Sequence, residues 1–282
     1  MSSRVSPVAV IFALLAGCTG SVDEYAGQSE EIAFGVEDTT NQFPNVGAMA
    51  FSAFVPNDVK PRCSGTLIAP RAFLTAAHCA DFFNDEHAAG NADNVWVTFA
   101  QNPATAGAGQ YLLVSSVVVD PEYPADHNVQ QVGDPHDVAV LVLARNASPT
   151  PAATAPLGLL DALLAAGALK SGSFHAPFTV VGYGVTDVTQ RFTQNRVRRI
   201  GVSEFKSLTG VYLNLDQNPA HDNGGTCFGD SGGPTFWIDA AGNRTVVSIT
   251  SRGDANCQAF GASQRIDIAD SVSFIGSVLA TL

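Results

Sequence analysis

The chain has little charge and very little positive charge. Of its 282 residues 14% are charged, and 14 Lys+Arg stand against 26 Asp+Glu, a formal net charge of −12. Its only lysines are Lys60, Lys170 and Lys206. So acidic a surface repels a phosphate backbone, which excludes nucleic acid as a partner. No apolar run reaches the roughly eighteen residues that a membrane-spanning helix requires. Gly (26) and Pro (15) provide for many tight turns yet fall short of low complexity, and 46% hydrophobic residues exclude a disordered, collagenous or coiled-coil chain. The length suits one large unit or two domains with well-buried cores.

What is present begins with an address. Arg4 precedes an apolar run from Val8 to Cys18, long enough for a secretory signal and too short to span a bilayer. The run ends in Leu15-Ala16-Gly17-Cys18, which resembles the lipobox of bacterial lipoproteins. In that class the Cys carries a diacylglycerol and the chain is cut just before it. Residues 1–17 are therefore expected to be a signal peptide and the protein to be exported, as an outer-membrane lipoprotein or in secreted form. Residues 18–31 (CTGSVDEYAGQSEE) are acidic and aperiodic, the composition of a tether. Export places the cysteines in an oxidising compartment. Five is an odd number, but with Cys18 lipidated the other four, Cys63, Cys79, Cys227 and Cys257, close into two bridges with three possible connectivities.

From Ile32 onward short β-rich runs alternate with turn residues, first between Gly47 and Leu143, then between Phe178 and Ile266. Between the sets lie a Pro/Ala linker at 147–156 and a short helical pattern at Leu159–Leu169. The spacing of Val272, Ile275, Val278 and Leu279 predicts an amphipathic closing helix over 268–282. The expected organisation is a β domain over 32–146, a linker with a short helix over 147–170, and a second β domain with the C-terminal helix over 171–282. Asp85-Glu86-His87 reads as an exposed acidic loop, with no second His or Cys at ligand spacing. The stretch Gln101–Gln110 has no carboxylate for a hard cation. No metal or cofactor is implied.

Three segments carry chemistry: Leu74-Thr-Ala-Ala-His78-Cys79, His136-Asp137-Val-Ala-Val-Leu-Val-Leu143, and Cys227-Phe-Gly229-Asp230-Ser231-Gly-Gly-Pro234. A serine hydroxyl needs an adjacent base to act as a nucleophile near pH 7, and His is the side chain suited to it. That base needs a buried acceptor to fix its tautomer and to stabilise the imidazolium that forms. Glycines beside the Ser allow backbone N–H groups to approach a developing oxyanion.

Together these segments closely resemble the chymotrypsin family of serine peptidases, with the motifs in that family's order His, Asp, Ser. The resemblance implies an all-β fold of two antiparallel six-stranded barrels and a C-terminal helix, acting on protein or peptide substrates without cofactor. It implies Ser231 as nucleophile, His78 as general base and then acid, and Asp137 as orienting carboxylate. The N–H groups of Gly229 and Ser231 would form the oxyanion hole. It also implies the pairings Cys63–Cys79 and Cys227–Cys257. Gly225, six residues before Ser231, falls at the base of the primary specificity pocket, and Ser251, Gly253 and Gly261 fall along its walls. An uncharged, open slot there predicts a large apolar or aromatic side chain before the scissile bond. Arg/Lys preference is the alternative, should Asp222 or Asp254 supply a charge. Ile32-Ala-Phe-Gly35, followed by Pro44, resembles the family's mature N-terminus. Cleavage after Glu31 by a partner protease would free an amine that pairs with Asp230 and switch on a zymogen. The rival to all of this is a catalytically silent, membrane-tethered binding module of the same fold.

Overall fold

The computed structural model describes residues 35–52, 54, 61–90, 93–124, 133–172, 177–190 and 196–282. The signal-like segment, Cys18, the tether and the Glu31–Ile32 junction lie outside them. A two-residue strand β1 (Val36–Glu37) precedes six strands: β2 (Val46–Ser52), β3 (Cys63–Ala69), β4 (Ala72–Thr75), β5 (Asn94–Thr98), β6 (Tyr111–Val119) and β7 (Ala139–Leu143). These six close into an antiparallel barrel in the order β2-β3-β4-β7-β6-β5. The long run Ser64–Thr75 is two strands because Pro70 and Arg71 interrupt it, Pro having no N–H for a ladder. Beyond a short parallel strand β8 (Ala153–Thr154) come β9 (Pro177–Gly182), β10 (Arg199–Leu208), β11 (Tyr212–Asp216), β12 (Pro234–Ile238), β13 (Arg244–Gly253) and β14 (Phe260–Arg265). They run in the order β10-β11-β14-β13-β12-β9, and the pairing of β9 with β10 closes a second six-stranded barrel.

Three helices complete the fold: α1 (Ala77–Ala88), α2 (Leu159–Ala165) and α3 (Ala269–Leu279). The first corrects the loop expected at Asp85-Glu86-His87, which is the last turn of α1. An irregular apolar pattern hid this helix, and only Ala77, Cys79 and Ala80 of it are buried. Among the described residues no helix is long and apolar enough to cross a membrane.

A single buried cluster crosses the seam between the halves, joining Val46, Phe73 and Leu141 of the first barrel to Val181, Tyr183 and Phe236 of the second and to Phe274, Ile275 and Val278 of α3. A continuous apolar core resists relative motion of the barrels, because opening it would expose all of that surface to water. A buried ion pair reinforces the seam. Arg198 Nε donates to Asp38 Oδ2 at 2.9 Å, both side chains fully buried, and its guanidinium also reaches the carbonyls of Val46 and Phe99. Asp38 in turn accepts from the backbone N–H groups of Gln42 and Phe43, which anchors the entry segment. The cleft between the barrels is therefore a fixed shape.

Candidate active site

Asp137 leads into β7 from a tight turn in which Val138 N–H donates to the His136 carbonyl at 2.7 Å and His136 adopts a left-handed φ of 49°. The His136 ring is held between Asp120 and Glu122, at 3.9 and 3.4 Å. This fixes the fully buried Asp137 carboxylate toward α1. His78 stands in the first turn of α1, whose third residue is tied to β3 by the Cys63–Cys79 disulfide. The two groups meet as expected. His78 Nδ1 lies 2.9 Å from Asp137 Oδ2, and His78 N–H donates to Asp137 Oδ1 at 2.9 Å. Burial works to lower the imidazole pKa. The Asp137 charge and hydrogen bond, with help from Asp81, outweigh it and hold the pKa above its ordinary 6.5. His78 and Ser231 line the same cavity of about 380 Å³, together with Gly229, Arg62 and Arg196. No hydrogen bond joins their side chains; such catalytic contacts are often long or poorly aligned until substrate binds.

A family model described as Trypsin matches residues 32–273. The chain belongs to the trypsin family. Similar proteins include human chymotrypsin-like elastase family member 1, 28% identical over 197 residues covering 67% of this chain and 69% of that one. CLIP domain-containing serine protease B15 of Anopheles gambiae is 27% identical over 257 residues, 81% of this chain and 64% of its own. Serine protease Hayan of Drosophila melanogaster is 25% identical over 239 residues, 75% of this chain. The chain spans 33% of the length of Hayan and 55% of that of the Bombyx mori protease HP8.

Within this trypsin-family chain the Gly-rich turn around Ser231 is shaped by close contact with the first barrel. The Ser231 carbonyl accepts from Ser64 N–H at 2.9 Å, and Gly232 sits at φ 77°. A Cβ on Gly232 would come within 2.6 Å of the Ser64 carbonyl and 2.7 Å of Ala76 N, so no other residue fits. Ser64 does more. Its hydroxyl donates to the Gly229 carbonyl at 2.9 Å and accepts from Tyr183 N–H at 2.9 Å, so one buried serine holds the peptide that leads from Gly229 into Asp230. Nothing in the sequence singled it out. Asp230 is buried beneath this turn, accepting from Gly184 N–H at 2.7 Å and Cys227 N–H at 2.9 Å. Burial dominates and pushes its pKa up to about 6, against those hydrogen bonds and the more distant charges of Arg196 and Arg199. Its expected partner, the Ile32 amine, lies outside the described residues.

Ser251 was expected as a pocket wall and does line the second cavity, of about 210 Å³, beside Ser231, Thr226 and Gly253. Its hydroxyl has a further task, donating to Asp137 Oδ2 at 2.6 Å. The Cys227–Cys257 disulfide forms as implied, with Cα atoms 5.3 Å apart, bracing the same cavity. The open slot expected at Gly225 and Gly261 is absent. The side chain of Gln217 occupies it, and neither glycine lines the cavity. Asp254 is at the cavity, but its carboxylate already accepts from the N–H groups of Asn256, Gln258, Ala259 and Phe260. Asp222 lies away from it in a left-handed turn. One grouping among the described residues, Asp134, His136 and Asp270, has potential metal-ligating atoms within 4.8 Å of one another, though Asp134 already accepts from His136 N–H and Gln264. The other, around Cys63 and Cys79, is closed by their disulfide.

Proposed function

We propose that the chain is an exported serine endopeptidase that hydrolyses peptide bonds through an acyl-enzyme on Ser231. The observation that carries this is the ordered chain from Ser251 Oγ to Asp137 to His78 Nδ1, ending in the cavity that Ser231 shares. Because Asp137 claims the Nδ1 proton, Nε2 is left as the acceptor, which is the tautomer a serine nucleophile needs. Ser231 Oγ attacks the scissile carbonyl and His78 takes its proton. Asp137 stabilises the imidazolium, and the N–H groups of Gly229 and Ser231 receive the oxyanion. His78 then returns the proton to the leaving amine, and water resolves the ester by the same route.

We further propose that the enzyme is made as a zymogen. A carboxyl whose pKa rises from 3.8 to about 6 carries roughly 3 kcal/mol of unfavourable burial when ionised. An ammonium freed at Ile32 by a cut after Glu31 would recover that energy by pairing with Asp230. Glu before the cut does not match the apolar side chain expected at that position, so a partner protease performs the activation. If Cys18 carries lipid, no cysteine ties residues 18–31 to the barrels, and the same cut that activates the enzyme frees it from the membrane. A fluorophosphonate should label Ser231 strongly after cleavage at Glu31, weakly before it, and never in Ser231→Ala. No labelling of the chain with Ile32 at its N-terminus would leave the silent binding module as the better account.

A further inference from the structure

We infer that Gln217, which belongs to no motif, sets the primary specificity of this site by filling the lower part of the pocket, so that the preferred substrates carry a short side chain, the size of Ala, Val or Thr, before the scissile bond. This rests on the assignment of Ser231 as nucleophile.

Gln217 follows β11, whose last residue, Asp216, pairs with Phe260 of β14, and its side chain is completely buried. A Cβ built on Gly225 would lie 2.4 Å from Gln217 Cδ and 2.5 Å from Cγ. One built on Gly261 would lie 2.4 Å from the terminal amide of Gln217. The amide therefore passes between the two glycines, and their missing side chains make room for Gln217 rather than for substrate. Assigned from its neighbours, the amide oxygen accepts from Thr226 N–H at 2.7 Å and from Thr226 Oγ1 at 2.9 Å, while the nitrogen donates to the Phe260 carbonyl at 3.2 Å. Swinging it aside would strand the buried N–H and hydroxyl of Thr226, so the plug is fixed rather than a gate. The cavity of about 210 Å³ that remains beside Ser231 is lined by Thr226, the residue the Gln217 amide binds. An aromatic ring reaching the depth of Gly225 would overlap the Gln217 amide. A Lys or Arg would meet a Gln217 amide that is already hydrogen-bonded, and the carboxylate at this cavity, Asp254, is turned to the N–H groups of its own loop.

The test uses the full-length chain, cut after Glu31 with a glutamate-specific peptidase and active-site titrated with a fluorophosphonate, then profiled on peptides varied at the residue before the scissile bond. Wild type should cleave after Ala, Val or Thr at least ten times faster, by kcat/KM, than after Phe or Tyr. Gln217→Ala should raise Phe, Tyr and Leu cleavage about tenfold or more, the scale of discrimination that a few atoms of pocket volume provide. Gln217→Met, of similar volume without the amide, should keep the rejection of aromatics. Should the Ala variant fail to label, the Met variant decides: aromatics still rejected supports the size filter, aromatics accepted overturns it. Equal wild-type cleavage after Phe and Ala, or a Gln217→Ala profile that matches wild type, would overturn the inference while leaving the peptidase assignment intact. Absence of label in the wild type would remove that assignment, and this inference with it.

Discussion

Replacing Asp137 by Asn changes one atom at the centre of the site, and its consequence can be worked out from the contacts. Oδ1 accepts the His78 backbone N–H, and Oδ2 accepts from His78 Nδ1 and Ser251 Oγ. An Asn carries one acceptor oxygen and one donor nitrogen. The oxygen must take the Oδ1 place, because an NH2 there would face a backbone donor. The NH2 then faces Nδ1 and Ser251, whose hydroxyl can rotate to accept, so the fold survives. Nδ1, however, becomes the acceptor and the proton moves to Nε2, where it blocks proton removal from Ser231. Loss of the correct tautomer costs about 10⁴ in kcat, or about 5 kcal/mol of barrier. The pH profile should move as well. In the wild type the acid limb of kcat/KM should lie above pH 6.5, since the proposed mechanism needs neutral His78 and Asp137 raises its pKa. Without that charge burial is the leading influence and lowers the pKa, so the variant's acid limb should shift to lower pH. Steady-state kinetics from pH 5 to 9, with a thermal melt to confirm folding, test both. A folded variant within tenfold of wild type, or an unmoved acid limb, would refute the assignment of Asp137.

Three further outcomes are expected. Ser64→Ala removes the hydroxyl that holds the Gly229 carbonyl and should lower kcat more than it changes KM, with roughly 1–2 kcal/mol of stability lost; equal changes in kcat/KM and Tm without a kcat effect would mean a structural role only. Asp38→Ala leaves Arg198 buried and unneutralised at the seam, costing about 3–5 kcal/mol, a Tm fall of roughly 6–20 °C in a chain of this size; a melt unchanged within 3 °C would contradict it. Asp230 has its folded pKa raised to about 6, so its contribution to the uncut chain is most favourable below pH 3.8 and is lost as pH rises through 6. The difference in unfolding free energy between the uncut wild type and Asp230→Asn should therefore shift in favour of the variant across that window, and a flat difference would argue against a buried, unneutralised carboxylate.

Much of the fold was legible because its signals are local. Alternating short runs, Gly- and Pro-marked turns and the apolar spacing of α3 each act within a few residues, and they place strands and the closing helix without knowledge of their partners. The candidate residues His78, Asp137 and Ser231 were legible through the resemblance of their segments to a known family, and the structure joins the first two directly. The helix α1 was missed because its apolar residues are too few to make a stripe. Ser64 and Gln217 were missed because what they do depends on residues far away in sequence.

By itself, then, the order of residues pointed to a cross-linked, two-part β chain with a serine, an imidazole and a carboxylate suited to acyl transfer. Only the tertiary structure decided that Ser251 supports Asp137, that Ser64 holds the Gly229 carbonyl, and that Gln217 rather than substrate fills the space between Gly225 and Gly261. The reason is steric. A glycine records that a Cβ is excluded but not what excludes it, and the occupant becomes known only when the closed barrel brings the end of β11 against the start of β14.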